Sequence, residues 1–376
     1  MFDSNRHQYS ALHNPDYRAE FNRTLLSLKA ILRHGSLKTT DFDYELPPEL
    51  IAQQPIEPRD ASRLLVLDRS TKTKQHLLFR DLPRFLNPGD LLVVNRSRVV
   101  PARLFAEKVP GGGKVELLLL ERVTEKEWKS LVGGKGLQVG LKVKLENGLL
   151  GEITEDLGGP QRRLVFDRGL DSSLQSFGQV PLPPYIHTPL ANPERYQTVF
   201  AREEGSSAAP TAGLHFTPEL LELLKRKGIE LAEIILHIGL DTFAPVNEDD
   251  SGKHKIHSEW CQLSEEVAEK VNTTKREGGQ VVAIGTTSVR VLETAARLAV
   301  GGNAVFPFEG RTDLYILPGF EFKVVDRLLT NFHLPHSTLL MLVSAFADRG
   351  LILDTYREAI VEGYRFYSFG DAMLIL

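Results

Sequence analysis

The stretch APTAGLHFT, Ala209 to Thr217, combines an imidazole with proline, glycine and hydroxyl side chains and carries no fixed charge. His215 stands there between Leu214 and Phe216, and its ordinary pKa near 6.5 suits it to take and return a proton near neutrality. The pairing of histidine with glycine and apolar neighbours recurs in HIGLDTFAPV, where Asp241 follows His237 by four positions. A carboxylate beside an imidazole fixes its tautomer or raises its pKa. His333 follows Thr330 and Asn331 in TNFHLPH, ahead of an apolar run. The plain alternative for all three is a buried, hydrogen-bonded histidine, and spacing leaves it open.

VVAIGTTSVRVLETAARL, Val281 to Leu298, passes from an apolar strand through Gly285 into Thr286, Thr287, Ser288 and a helical pattern. Backbone N–H groups at such a helix start suit an anion, the hydroxyls add donors, and Arg290 can form bidentate bonds to a phosphate or carboxylate. A hydroxyl-rich cap that merely ends a strand fits equally well. Neither a Walker loop nor GxGxxG is present. HKIH at His254 and HLPH at His333 have a spacing that can place two imidazoles on one helical face, as metal binding requires. Pro335 breaks the second pair and neither carries the glutamate of HExxH, so no metal is assigned.

The elements that must position these residues follow from periodicity. LLVLD and DLLVVN read as strands. Pro101 to Phe177 strings short β-type runs, KVELLLLE, EWKSLVG, KVKLEN, LLGEIT and RRLVFD, between glycine turns, which predicts a small barrel. After PLPPYI, helices and strands alternate: Thr217 starts the helix TPELLELLKRKG, Ser264 starts another, and a third apolar helix begins near Ser337. The expected fold class is mixed α/β, or α+β. Residues 1–38 form an amphipathic, helical extension, 39–100 and 178–376 a large catalytic domain, and 101–177 the small barrel domain.

At 376 residues, 42% hydrophobic and 25% charged, the chain is a globular protein of two or three domains. The net charge of −4 excludes an evenly basic nucleic-acid coat but not a local patch. Cys261 is the only cysteine, so no intrachain disulfide forms and a reducing compartment is expected. With no long apolar run and no apolar leader, the chain reads as cytoplasmic and not membrane-bound. RYQTVFAR and YRFYSFGDAMLI interleave arginines with aromatics, as single-stranded RNA binding requires, although such aromatics are more often core.

DFDYELPPELIAQQP, RLLVLDR, PLPPYI, RYQTVFA, APTAGLHFT, HIGLDTFAPV, HSE, AIGTTSVRVLE, TNFHLPHSTLLMLVSAFA and YRFYSFGDAMLI occur in this order from Asp41 to the C-terminus. Together they resemble the S-adenosylmethionine:tRNA ribosyltransferase-isomerase family of queuosine biosynthesis. The resemblance implies a large mixed α/β domain containing a barrel, plus a smaller β-barrel. It also implies transfer and isomerisation of the ribosyl group of S-adenosylmethionine onto 7-aminomethyl-7-deazaguanine at the tRNA wobble position. Adenine and methionine leave, and epoxyqueuosine is formed.

The partners expected are that tRNA and S-adenosylmethionine as co-substrate, with no prosthetic group and a monomeric protein. For this reaction His215, His237 and His333 are the expected proton-transfer groups and Asp241 their orienting partner. Thr211, Gly213, Thr286, Thr287, Ser288, Arg290 and Asn331 are the expected substrate contacts, with Gly213 allowing close backbone approach. Arg96, Arg98, Arg195, Arg202 and Arg365 are the expected tRNA contacts. Arg96 departs from the family's VVNDTRV pattern, which has an acid in that place. The competing readings are a non-catalytic tRNA-binding relative and a metal-dependent hydrolase.

Overall fold

The computed structural model describes residues 37–170, 174, 176–239 and 245–376. The expected N-terminal helix and Asp241 therefore lie outside the described residues. In chain order the first strands are β1 Arg63–Leu67, β2 Lys74–Leu78, β3 Leu91–Asn95 and β4 Ser97–Val99. Next come β5 Arg103–Val109, β6 Lys114–Arg122, β7 Glu127–Gly133, β8 Lys142–Leu145, β9 Leu150–Gly158 and β10 Gln161–Phe166. After β11 Glu203–Ser206 follow α1 Pro218–Arg226, β12 Glu230–Leu236, β13 Glu259–Leu263, α2 Glu265–Arg276 and β14 Val281–Ile284. The chain ends with α3 Thr286–Leu298, β15 Phe308–Thr312, β16 Arg327–Asn331, α4 Thr338–Phe346, α5 Arg349–Val361 and β17 Ala372–Ile375.

The fold is mixed α/β with a closed β-barrel, as expected. Strands β5 to β10 close in the order β10-β7-β6-β5-β8-β9. Alternation fills the barrel: Leu104, Val115, Leu117, Val143, Ile153 and Leu164 are fully or nearly fully buried inside it. Where the resemblance implies a further barrel, nine of the other strands form one sheet that ends on β15 at one side and on β2 at the other, and β4 pairs with β11 apart from it. Its middle, β12-β3-β14-β16, is parallel, and antiparallel pairings flank it.

Parallel strands are covered on both faces, and LLVVN of β3 and VVAI of β14 are accordingly buried throughout. Leu91, Val93, Ala283 and Leu328 pack on one face with Val271, Leu292, Leu340 and Tyr356 from the helices. Leu92, Val94, Ile284 and Leu329 pack on the other with Phe79, Phe216, Leu220 and Leu224. Three helices start where the sequence predicts, at Thr217, Ser264 and Ser337, and these residues, like Asp348 before α5, each accept a backbone N–H of the first turn. α3 instead starts at Gly285, whose φ of 86° favours glycine.

β16 carries residues of the site described below, and its entry is held by one carboxylate. Glu293 of α3 is fully buried and accepts N–H bonds of 3.0 to 3.1 Å from Lys323, Val324 and Val325. Glu293→Ala leaves these donors unsatisfied and is expected to lower stability by about 2–4 kcal/mol. Urea denaturation followed by circular dichroism checks this, and a loss below about 0.5 kcal/mol would refute the role.

Candidate active site

The parallel strands β12, β14 and β16 point their carboxyl ends in one direction, and the chain leaving each lines a single open cleft of about 520 Å³. Ile238 follows β12, Gly285, Thr286 and Thr287 follow β14, and Thr330, Asn331, Phe332 and His333 end and follow β16. Thr211 comes from the 3-10 turn Thr211–His215, and Tyr185, Tyr367 and Ser368 from two loops. The cleft thus joins Thr211, Thr286, Thr287, Asn331 and His333, which the sequence singled out. The N-terminus of α3 opens onto it, and the buried Thr287 Oγ1 has no hydrogen-bond partner among the described residues.

His215 lies behind this wall. Its Nδ1 is 2.8 Å from Ser62 Oγ, its Nε2 is 3.3 Å from Asn331 Nδ2, and its ring stacks on Phe79 at 4.9 Å. Asn331 Nδ2 also donates to the Tyr367 carbonyl at 3.1 Å, so this atom is the amide nitrogen and has no lone pair to offer His215. His215 Nε2 therefore accepts, Nδ1 carries the proton, and Ser62 receives it. The amide Oδ1 is thereby turned towards Thr211, whose hydroxyl donates to it at 3.2 Å. Burial lowers the His215 pKa to about 3, aided by Arg365 and Arg59, so the imidazole is neutral at physiological pH. It is bonded to Asn331 and is not among the residues that line the cleft.

His333 does line the cleft, with Nε2 2.8 Å from Thr330 Oγ1. Its backbone is pinned on both sides, the N–H donating to Tyr356 Oη at 3.0 Å and the carbonyl accepting from Tyr44 at 2.5 Å. Burial lowers its pKa to about 3 as well. His237 stands apart, half-buried and stacked on Trp260 at 5.2 Å, with its ring against Gly205. Its Nδ1 has no hydrogen-bond partner among the described residues, and burial lowers its pKa.

Other expected contacts are engaged elsewhere. Gly213 gives close approach to Thr198 of the protein, whose Cγ2 lies 3.0 Å from where a Cβ would sit. Ser288 Oγ donates to the Ile284 carbonyl at 2.9 Å. Arg290 is buried in an ion pair with Glu259 and donates to the carbonyls of Leu314 and Thr312 at 3.2 Å, so it holds protein, not the cleft. Each arginine expected on tRNA has a carboxylate partner: Arg98 with Glu194 at 2.5 Å, Arg195 with Glu57 at 3.0 Å and Arg202 with Glu233 at 2.9 Å. Arg365 meets Asp371 at 3.4 Å and Arg96 meets Glu203 at 3.9 Å.

Sequence reasoning did not single out Tyr185, Tyr367 or Ser368, although the first lies in PLPPYI and the others in YRFYSFGDAMLI. The two tyrosine rings are 4.7 Å apart, and Tyr185 Oη is 2.7 Å from Ser368 Oγ. Tyr367 has φ of 70°, an uncommon state for a bulky residue that the bonds to Asn331 and Phe332 maintain. Burial raises the Tyr367 hydroxyl to about 12. Among the described residues no group of three or more His, Cys, Asp or Glu is gathered as a metal site.

Delivery of side chains from several parallel-strand ends to one cleft places the chain among α/β enzymes. It belongs to the family of queuosine biosynthesis proteins, whose family model matches residues 39–375. It is 53% identical over 344 residues to an S-adenosylmethionine:tRNA ribosyltransferase-isomerase of Symbiobacterium thermophilum, covering 90% of this chain and 100% of that one. The corresponding protein of Heliobacterium modesticaldum is 54% identical, covering 89% and 98%. The crystal structure of the S-adenosylmethionine tRNA ribosyltransferase of Thermotoga maritima matches with a TM-score of 0.52 at 43% identity, over 89% of this chain and 100% of that one.

The two neutral histidines set a pH dependence. Their folded pKa values, about 3, lie below the ordinary 6.5, so between these limits the unfolded chain binds protons that the folded chain refuses. Their stabilisation is complete above pH 6.5 and falls with pH, by about 1.4 kcal/mol per unit per histidine. A His215→Gln/His333→Gln variant should lose less stability than the wild type between pH 7 and pH 5, measured by urea denaturation. Equal slopes would show that neither imidazole is buried neutral.

Proposed function

We propose that this chain transfers the ribosyl group of S-adenosylmethionine to the 7-aminomethyl-7-deazaguanine at the wobble position of tRNA. It isomerises that group to give epoxyqueuosine and releases adenine and methionine. The observation that carries the reading is a cleft whose described lining holds no charged side chain and is built from aromatic rings, neutral imidazole and hydroxyls at an open helix N-terminus. The ring faces of Tyr185 and Tyr367 suit a sulfonium cation, and a neutral His333 does not repel it. The N-terminal turn of α3, with Thr286 and Thr287, suits the methionine carboxylate.

The sulfonium acidifies the neighbouring C5′ hydrogens, so the substrate amine can begin the reaction by attack or deprotonation there. This chain then has to hold the reactants in register and meet the charge that develops on departing adenine. His333 and the Asn331–Thr211 pair are the polar groups in position for that work. With pKa values near 3, neither His215 nor His333 is matched to general acid–base work at neutral pH, and each serves through hydrogen bonds. In this reading residues 39–100 with 178–376 form the catalytic domain and 101–177 a barrel domain. The protein acts as a cytoplasmic monomer without a prosthetic group. The lone, buried Cys261 supports that compartment.

Incubation with S-adenosylmethionine and tRNA bearing the aminomethyl base should yield adenine, methionine and the modified nucleoside in equal amounts; absence of all three defeats the reading. His215→Ala should lower kcat by about 10–100-fold by freeing the Asn331 amide, and Asn331→Ala by at least as much. His215→Gln, whose carbonyl can accept from Asn331, should recover part of the loss. Equal, undiminished turnover in His215→Ala would remove its positioning role.

A further inference from the structure

The end of the small barrel remote from the large domain carries lysines that no ion pair absorbs. Lys114, Lys135, Lys142 and Lys144 are exposed and Lys108 half-exposed, and none is in an ion pair among the described residues. Strand register gathers them: Glu107 pairs across to Lys114 on β6 and to Lys144 on β8, and Val109 pairs with Lys142. The Lys108 ammonium donates to the Lys135 carbonyl, tying the β5–β6 hairpin to the β7–β8 loop. Both connections are glycine-rich, with Gly111, Gly112, Gly134, Gly136 and Gly140 at positive φ, so little side-chain bulk surrounds the charges. Glu107 stands opposite Lys114 and Lys144, and Glu152 opposite Lys142, so the five lysines outnumber these two acids and the patch keeps a net positive charge. Phe105, Val109 and Leu150 are exposed among the lysines.

β5 runs from this end to Arg103, which bridges to Gln179 at the junction with the large domain. Seven extended residues separate the two ends by about 20 Å. From Gln179 the chain continues to Tyr185 in the cleft wall. The barrel is therefore an arm whose base adjoins the cleft and whose tip is basic. The cleft is open and local, lined by loops at the strand ends, so most of a tRNA bound there must lie outside it.

We propose that the lysine-bearing barrel tip, Lys114, Lys135, Lys142 and Lys144, grips the phosphodiester backbone of the tRNA away from the reacting base. This rests on the function proposed above. The tip differs from Arg98, Arg195 and Arg202 in that none of its lysines is held in an ion pair among the described residues and they outnumber the facing carboxylates, Glu107 and Glu152. Phosphate contacts of this kind position an RNA without reading its sequence, and each releases counterions.

The test compares the wild type with the triple variant Lys114→Ala/Lys142→Ala/Lys144→Ala in steady-state turnover over a range of potassium chloride concentrations. Loss of exposed, unpaired lysines leaves the fold intact, which thermal melting verifies. The KM for tRNA should rise at least about tenfold while kcat and the KM for S-adenosylmethionine stay unchanged. The slope of log(kcat/KM) against log salt should become shallower by about 2 to 3. The Lys→Arg triple variant should restore both. Unchanged tRNA KM and slope in an active protein overturn the inference, as does a change confined to self-association. A wild type that releases no adenine defeats the underlying function instead.

Discussion

The parallel run β12-β3-β14-β16 is apolar on both faces, and everything at the cleft depends on that burial. A strand covered on both sides cannot shift register without carrying its whole hydrophobic set out of place. Fixing β14 and β16 in this way fixes where Gly285 and Asn331 emerge, and the residues after them have little choice of position. The two interfaces also divide the polar work. Helices α2 to α5 cover one face, while Phe79, Phe216 and α1 cover the other and trap the His215 ring beside Asn331. Stability and site geometry are thus set by the same contacts.

Within that frame the polar groups form a chain and not a set of independent acids and bases. Ser62, His215, Asn331 and Thr211 each satisfy the next, and the Tyr367 carbonyl fixes the sense of the amide. In a buried network every unsatisfied member costs about 1–3 kcal/mol, so the chain has one favoured arrangement. Neutrality follows from the same burial, since a charged imidazole there would lack a counter-ion. For a substrate that brings its own positive sulfur, a wall of neutral acceptors and ring faces is chemically coherent.

How much of this was legible in the sequence depended on whether the cause was local. Helix starts at Thr217, Ser264 and Ser337 and the barrel strands between glycine turns are short-range effects, and they were read correctly. Thr286, Thr287, Asn331 and His333 were legible as cleft residues because they follow predicted strands. The ion pair that engages Arg290 was not legible, because its partner, Glu259, lies on a strand 31 positions away in the chain and spacing says nothing of that pairing. The placement of His215 was hidden for a related reason: the turn Thr211–His215 sends Thr211 to the cleft and the imidazole behind it. Tyr185 and Tyr367 left no distinct signal, since an aromatic among apolar residues reads as core.

Arg96, where the resemblance leads one to expect an acid, shows how the same geometry limits the reach of one charge. Its neighbour Asn95 is occupied structurally, accepting from Leu236 and Ser97 and donating to the Leu236 carbonyl at 2.9 Å. Arg96 itself is half-buried at the end of β3, faces Glu203 at 3.9 Å, and is absent from the residues that line the cleft. Its backbone N–H still donates to Ile234 at 2.9 Å, so strand pairing continues past the exchange. A change of charge at this position therefore acts on the field around the β4–β11 pairing, while the chain from Ser62 to Thr211 is assembled from other segments, the turn Thr211–His215 and the end of β16 among them, and is left as it was.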